Sequence, residues 1–196
     1  MGDDTSSPST ISKKVAVCKK NIGDTKLIFK DVTGAKNNDF TDVNIAKIEA
    51  ACTKVNYALS KDMPNGDPFI SPRKTWGLKH AGANCVAQSI FLASLLGCLQ
   101  GSGGKPPATY IVSFTSTKKG VGSHAVAAVL VKKSLHPGAG RKWHAPPGSM
   151  GTVPAGSHLM ILDAVAKNPE ANQGIGNYLS GGNHKTTVVK LWGAHC

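Results

Sequence analysis

Acidic residues are scarce in the later part of this sequence. Residues 81–196 contain only Asp163 and Glu170, against ten Lys and Arg, whereas residues 1–80 contain nine acids and 13 bases. The formal net charge is +12, and most of the positive excess lies after residue 80. With so few carboxylates present, the position of each one in this part of the chain carries information.

Sequence features of several protein classes are also missing. No apolar run reaches the roughly 18 residues of a membrane-spanning helix, so we expect no membrane span. Residues 1–12 are polar and lack the basic and apolar regions of a secretory signal. We therefore expect a protein that is cytoplasmic, is exported by a route without such a signal, or has had its signal removed.

The cysteines form no C-x-x-C pair, which argues against a zinc ribbon or a thioredoxin-like motif. Their number is odd, so at least one thiol is free. A free thiol in a suitable setting can act as a nucleophile, so the sequence around each cysteine matters. The five positions are Cys18, Cys52, Cys85, Cys98 and Cys196.

The length and composition fit one folded domain. A chain of 196 residues with 40% hydrophobic residues can bury a substantial core. Residues 1–12, rich in Ser and Thr, predict a disordered tail, and residues 13–196 predict a single folded domain. Within it, residues 132–157 predict an insertion with four Pro, five Gly and no acid, of a length that is usually functional or mobile.

Hydrophobic periodicity predicts an α+β fold with an antiparallel sheet. Apolar residues at three- and four-residue spacing predict a helix over residues 43–59. The uncharged run from Cys85 to Leu99 predicts a second helix, buried on most sides, with Asn84 as N-cap and Gly101 as its stop. The predicted strands are 15–18 and 26–32, joined as a hairpin, and then 109–114, 124–131, 158–165 and 186–192.

Cys85 would occupy the first turn of the second predicted helix, directly after Asn84. Unpaired backbone N–H groups and the positive end of the helix dipole favour a thiolate there. The N–H of Cys85 itself could stabilise an oxyanion. The alternative interpretation is a small buried hydrophobe, because free cysteines are often buried.

His124 and Asp163 could supply the other groups that a thiol nucleophile needs. His124 opens an apolar strand, and imidazole is the usual base for a thiol, although a single strand-end histidine can equally be structural or exposed. Asp163 lies in the apolar run 158–165, where an unpaired carboxylate would be costly. It could orient an imidazole, pair with Lys or Arg, or be exposed at the strand end.

The segments around these residues resemble the transglutaminase-like cysteine enzymes, a papain-fold superfamily. GANCVAQSIFLASLLGCL is similar to that family's central apolar helix, and GSHAVAAVLV and HLMILDAV are similar to its His and Asp strands. The resemblance runs from about residue 42 to residue 165. It implies a papain-like core, with a nucleophile helix packed on an antiparallel sheet, and a triad of Cys85 as nucleophile, His124 as base and Asp163 as orienting group.

The chain departs from the family pattern in three places, which bear on the substrate more than on the triad. One is the predicted N-terminal hairpin, which would be an addition to the family's core. The aromatic residue that often follows the family's histidine is absent, since Ala125 and Val126 stand there, and the 132–157 insertion is long. Papain-type enzymes place an oxyanion glutamine before the nucleophile, and residues 76–84 contain none. The candidates for lining the pocket or the oxyanion site are therefore Trp76, His80, Asn84, Gln88 and Trp143.

These interpretations predict an acyl-transfer enzyme in which Cys85 attacks a protein glutamine or a peptide amide. Water as the acceptor would give deamidation, an amine would give crosslinking, and attack on the main chain would make it a cysteine protease or amidase of the same fold. The expected partner is a protein or peptide substrate, and the positive charge would suit an acidic one. By analogy with bacterial effectors and toxins of this superfamily, an inhibitor or immunity protein is a further candidate partner.

Two non-catalytic alternatives stay open. One is a basic polyanion-binding module, suggested by a pI of about 9.6 and by the basic, Trp-containing segment 132–157. The chain has only 11 aromatic residues and no RRM, KH or zinc-finger signature, so nucleic acid is not the favoured partner. The other is an inactive family member that serves as a scaffold. The remaining histidines lack regular ligand spacing, so we expect no metal and no cofactor.

Overall fold

The computed structural model describes nine stretches of the chain. They are residues 25–59, 62–63, 70–101, 104–116, 124–132, 143–146, 148–150, 152–163 and 184–192. The predicted tail at residues 1–12, the predicted strand at 15–18 and much of the 132–157 segment lie outside them. Within the described residues the protein combines four α-helices with an antiparallel sheet, so the predicted α+β class is confirmed.

The first described helix, α1, spans Thr25–Thr33, where the sequence analysis predicted a strand over 26–32. That prediction was wrong because Phe29 and Val32, three residues apart, both pack into the core, which is helical and not strand spacing. Gly34 ends the helix with φ of +63°, and its N–H donates to the Lys30 carbonyl at 2.7 Å. A left-handed glycine just past the last turn is a common helix stop.

The second helix, α2, spans Asp42–Cys52 and is shorter than the predicted 43–59. Thr41 is its N-cap, accepting a hydrogen bond from the Asn44 N–H. The chain leaves the helix at Thr53 and then runs beside residue 83, where Tyr57 and Ala83 form a parallel bridge. After a turn at residues 53–55, the chain therefore lies against the residues that precede a later helix.

The two helices that follow lead into the core. Helix α3 spans Pro72–Gly77, with Ser71 as N-cap, and helix α4 spans Cys85–Leu96. Every residue of α4 is buried, as expected for a run without charge. It ends at Gly97, earlier than the predicted end near Leu99, and the Gly97 N–H donates to the Ala93 carbonyl.

Five strands form one sheet in the spatial order β3-β4-β2-β1-β5, and all of its pairings are antiparallel. The two-residue β3 and the 3₁₀ turn Gly148–Met150 fall inside the predicted 132–157 insertion. The last β strand before the candidate aspartate ends at Leu162, three residues earlier than predicted. The strands are β1 Ala108–Ser116, β2 His124–Lys132, β3 Trp143–His144, β4 Ser157–Leu162 and β5 His184–Trp192.

The sheet is apolar on both faces, and α4 packs on one of them. Alternate β2 residues from Ala125 to Val131 join the cluster that contains α4, while Val126 and Ala128 join a second cluster with Leu159. This period of two is what a strand with two buried faces requires. The nucleophile helix predicted from the sequence is thus held against the strand that begins with His124.

The described cysteines differ in their covalent state. Cys52 and Cys85 are free thiols, whereas Cys98 is disulfide-bonded to a partner outside the described residues. In the part of the chain that the structure describes, no helix is long and apolar enough to cross a bilayer.

Gly82 is the one glycine in the approach to α4 that cannot carry a side chain without displacement. Its φ is +101°, and a Cβ there would lie 2.8 Å from the Ala58 Cβ. We expect Gly82→Ala to lower the free energy of unfolding by about 1–3 kcal/mol. Gly77→Ala is the matched control, because no atom lies within 4 Å of its added Cβ. Urea unfolding of both variants tests this, and equal stabilities would contradict it.

Candidate active site

The site begins at the first residue of α4. Asn84 is the N-cap, and its side-chain oxygen accepts a hydrogen bond from the Ala87 N–H at 3.0 Å. Cys85 follows as the first helical residue and is 5% exposed. In an α-helix the first N–H groups have no intrahelical acceptor, so those of Cys85 and Val86 could donate to an oxygen of a bound substrate.

Gln88 links the residue before the cap to the neighbouring segment at residues 55–56. Its side-chain amide nitrogen donates to the carbonyls of Ala83, Asn56 and Val55 at 2.9, 3.1 and 3.3 Å. Because its nitrogen is engaged with these three carbonyls and Gln88 is 1% exposed, it braces the chain before Cys85. The Oε1 atom of Gln88 has no hydrogen-bond partner among the described residues.

His124 and Asp163 meet at the ends of neighbouring strands. Strands β2 and β4 pair with Ala127 opposite Leu162, so the same register continued by one residue places Asp163 opposite Val126. His124 is then the diagonal neighbour of Asp163, a relation in which long side chains can meet. The His124 Nε2 lies 2.8 Å from the Asp163 Oδ2.

The predicted triad therefore comes together in space. His124 Nε2 is engaged with Asp163, and the Cys85 thiol lies close enough to the imidazole to raise its pKa. The side chains of His124 and Asp163 are 28% and 12% exposed, so the imidazole is reachable from solvent while the carboxylate behind it is more sheltered.

The electrostatic setting favours a charged imidazole. Burial by itself lowers the pKa of His124, but the hydrogen bonds to Asp163 and Cys85, together with the negative charges of both groups, raise it from 6.5 to about 10. These interactions therefore favour the imidazolium form of His124 at neutral pH. A cation held between a carboxylate and a sulfur atom is suited to stabilise a thiolate and to give up a proton later.

Cys52, the second free thiol, has a contrasting environment. It is 0% exposed within α2, and burial together with the negative charge of Glu49 raises its pKa well above the ordinary value. A thiol that stays protonated and out of contact with solvent is a poor nucleophile. Cys52 thus differs from Cys85, which lies at the start of α4 beside His124.

The remaining predicted pocket residues fall in different places. Trp76 is partly buried and stacks on Phe91 at a ring-centroid distance of 6.0 Å. The Lys79 ammonium lies over the Trp76 ring, 4.7 Å from its centroid. His80 is exposed, and its carbonyl accepts a hydrogen bond from the Asn56 side chain. Trp143 pairs through its backbone with Met160 in β4. Asn84 and Gln88 lie beside Cys85 in the roles described above.

One residue of the site was not singled out in the sequence. The Ser89 hydroxyl donates a hydrogen bond to the Ala125 carbonyl at 2.8 Å, and Ser89 is 1% exposed. A serine in an uncharged, mainly apolar helix, one turn after Cys85, was the available signal. The bond joins the element that carries Cys85 to the residue after His124.

In the part of the chain that the structure describes, basic side chains precede α4. Between residues 70 and 101 there is no Asp or Glu, and Arg73, Lys74 and Lys79 supply positive charge before α4. In the same described part of the chain, no group of three or more His, Cys, Asp or Glu side chains could hold a metal ion. The basic segment behind the polyanion-binding alternative lies mostly outside the described residues.

Comparison of the chain with protein-family models, with curated proteins and with solved structures gives no match. The inference of a function therefore depends on the geometry of the site and on the sequence resemblance.

Proposed function

We propose that the protein is a cysteine-nucleophile acyl-transfer enzyme acting on glutamine side chains or peptide amides of proteins. The observation that carries the proposal is the position of His124, hydrogen-bonded to Asp163 at 2.8 Å and beside the Cys85 thiol at the start of α4. Nucleophile, base and orienting carboxylate in one chain of contacts form the usual arrangement for acyl transfer through a thiol.

The first half-reaction would use the charged pair. The Cys85 thiolate attacks the carbonyl carbon of the amide, forming a C–S bond, and the developing oxyanion is met by the free N–H groups at the start of α4. The C–N bond then breaks, and the His124 imidazolium gives its proton to the leaving nitrogen. The products of this step are an acyl-enzyme thioester and an amine or ammonia.

The second half-reaction would restore the enzyme. His124, now neutral, takes a proton from water or an amine as that group attacks the thioester carbon, and the C–S bond breaks to regenerate the thiolate. Water converts a glutamine to a glutamate or completes a peptide cleavage, while an amine gives a crosslink. All three outcomes use the same residues, so the acceptor and the acyl pocket decide among them.

The papain-like, transglutaminase-like core belongs to this same proposal. Its support is the resemblance of the three motif segments, together with a buried helix that begins at the nucleophile and packs on an antiparallel sheet. A role as an effector or toxin, with an acidic protein substrate and an inhibitor or immunity protein, follows from the resemblance and from the net charge of +12.

Selective alkylation tests the reactivity that the proposal requires. At pH 7, iodoacetamide is expected to modify Cys85 well ahead of Cys52, because Cys85 lies beside the His124 imidazole, whereas Cys52 is 0% exposed and burial raises its pKa. Peptide mapping by mass spectrometry after timed quenching gives the rate at each thiol. Cys85 modification no faster than that of a cysteine in an unfolded peptide would overturn the proposal.

The reaction type is tested on a mixture of unfolded, glutamine-rich proteins such as casein. After incubation with and without a small primary amine, mass spectrometry distinguishes glutamine converted to glutamate, amine incorporated at glutamine and new chain termini. These three products correspond to deamidation, transglutamination and proteolysis. A reactive Cys85 that produces none of them from such proteins would contradict action on protein amides.

A further inference from the structure

We propose that Ser89 is a positioning residue that sets the contact between the Cys85 thiol and the His124 imidazole. The inference rests on the proposed function, because it assigns a role within the same thiol–imidazole pair. Ser89 touches neither a reacting atom nor the triad side chains in the described contacts. It acts through the backbone, at the residue that follows the base.

The geometry places this hydrogen bond directly behind the reacting groups. Cys85 and Ser89 are four residues apart in α4 and so lie on the same side of the helix, one above the other. Ala125 follows His124 in β2, and its carbonyl accepts the Ser89 hydroxyl. The residue one helical turn after the nucleophile is therefore hydrogen-bonded to the carbonyl of the residue after the base.

The buried setting makes this contact directional as well as close. Ser89 is 1% exposed and Ala125 is 2% exposed, so both are shielded from bulk water that could otherwise bond to the Ala125 carbonyl in place of the hydroxyl. Apolar packing between α4 and β2 resists separation of the two elements but tolerates small sliding, whereas a hydrogen bond of 2.8 Å fixes their relative position. The thiol–imidazole contact needs that accuracy, because a displacement of about 1 Å can reduce a reaction rate about a hundredfold.

A matched control lies in the same helix. Ser94 is also buried, and its hydroxyl donates to the Ile90 carbonyl at 2.7 Å, but this bond stays within α4 and reaches no strand. Ser89→Ala and Ser94→Ala each remove one buried hydroxyl from α4. Only the first removes a connection between the two elements that carry Cys85 and His124.

Paired alkylating reagents give a readout that a general loss of stability would not move. Iodoacetate carries a negative charge and iodoacetamide does not, so the ratio of their rates at Cys85 reports an imidazolium next to the thiolate. At pH 7 we expect Ser89→Ala to slow alkylation by iodoacetate about tenfold to a hundredfold and to reduce this ratio. Ser94→Ala should keep the wild-type ratio.

A second pair of variants keeps the test decisive if Ser89→Ala does not fold. Ser89→Thr and Ser89→Val have nearly the same shape, and both add bulk at the same buried point. Only the threonine retains the hydroxyl donor. We expect the threonine variant to prefer iodoacetate as the wild type does, and the valine variant to lose that preference.

The outcomes separate this inference from the proposed function. A wild-type Cys85 without enhanced reactivity toward either reagent overturns the proposed function. A reactive wild type whose preference for iodoacetate is unchanged in Ser89→Ala, or is equal in the threonine and valine variants, overturns the role of Ser89 and leaves the proposed function standing. Reduced preference in Ser94→Ala as well would also overturn it, because the effect would then not depend on the bond to β2.

Discussion

Replacement of Cys85 by Ala is expected to abolish amide turnover, with a loss on the order of 10⁴-fold or more. The proposed reaction forms a covalent bond to the Cys85 sulfur, and no other described thiol contacts an imidazole. His124 and the N–H groups of α4 would remain in place, but they would have no nucleophile to assist. The measurement is product formation on casein, followed by mass spectrometry under conditions where the wild type is linear in time.

Cys52→Ala is the control for that variant. Cys52 is also a free thiol and fully buried, yet it lies in α2 and its pKa is raised by burial and by Glu49. We expect full activity from this variant and a loss of stability of about 1–3 kcal/mol, as for a modest reduction of a buried side chain. Thermal unfolding of both variants separates a lost nucleophile from a lost fold. Turnover retained in folded Cys85→Ala would refute the mechanism.

The parts of this structure that the sequence predicts are those where one local signal dominates. Helix α4 has no charge in 12 residues and begins after Asn84, so both its burial and its N-cap follow from the sequence. Asp163 could be singled out because an unpaired carboxylate is costly beside an apolar strand and acids are scarce after residue 80. Its contact with His124 follows once β2 and β4 are known to be antiparallel neighbours.

The parts that could not be predicted depend on tertiary contacts. The segment that forms α1 has the Ile and Phe residues typical of strands, but Phe29 and Val32 are buried at helical spacing, and packing overrides the local preference. The early end of α2 is also accompanied by tertiary contacts, because the chain turns at residues 53–55 and Tyr57 then bridges to Ala83. The bond from Ser89 to Ala125 joins residues 36 apart, and no local pattern specifies which carbonyl a buried serine will meet.

Replacement of Asp163 by Asn is expected to lower turnover by roughly 10² to 10⁴-fold with little change in shape. Asparagine preserves the volume and can still contact the imidazole, but it carries no charge and its oxygen accepts a weaker hydrogen bond. His124 would then lose the hydrogen bond to the Asp163 carboxylate and the negative charge that raise its pKa. Two functions weaken together, the stabilisation of the thiolate and the delivery of a proton to the leaving nitrogen.

The loss of activity at alkaline pH should begin at a lower pH in Asp163→Asn than in the wild type. In the wild type the pKa of His124 is raised to about 10, so the imidazolium persists through neutral pH and activity should fall only as the pH rises through about 10. In Asp163→Asn the hydrogen bond to a carboxylate and its charge are gone, so the pKa of His124 falls and the alkaline limb moves to lower pH. The alkylation rate with iodoacetate, measured from pH 6 to 11, locates that limb in both proteins.

Stability should change over the same pH window. A histidine whose pKa is higher in the folded protein than the 6.5 of the free side chain binds its proton more tightly when folded. Its stabilising contribution is therefore complete below about pH 6.5 and disappears as the pH rises toward 10. The difference in free energy of unfolding between the wild type and Asp163→Asn should thus be largest near pH 6 and smallest near pH 10. A difference that is constant across this range would mean that Asp163 does not hold the proton on His124.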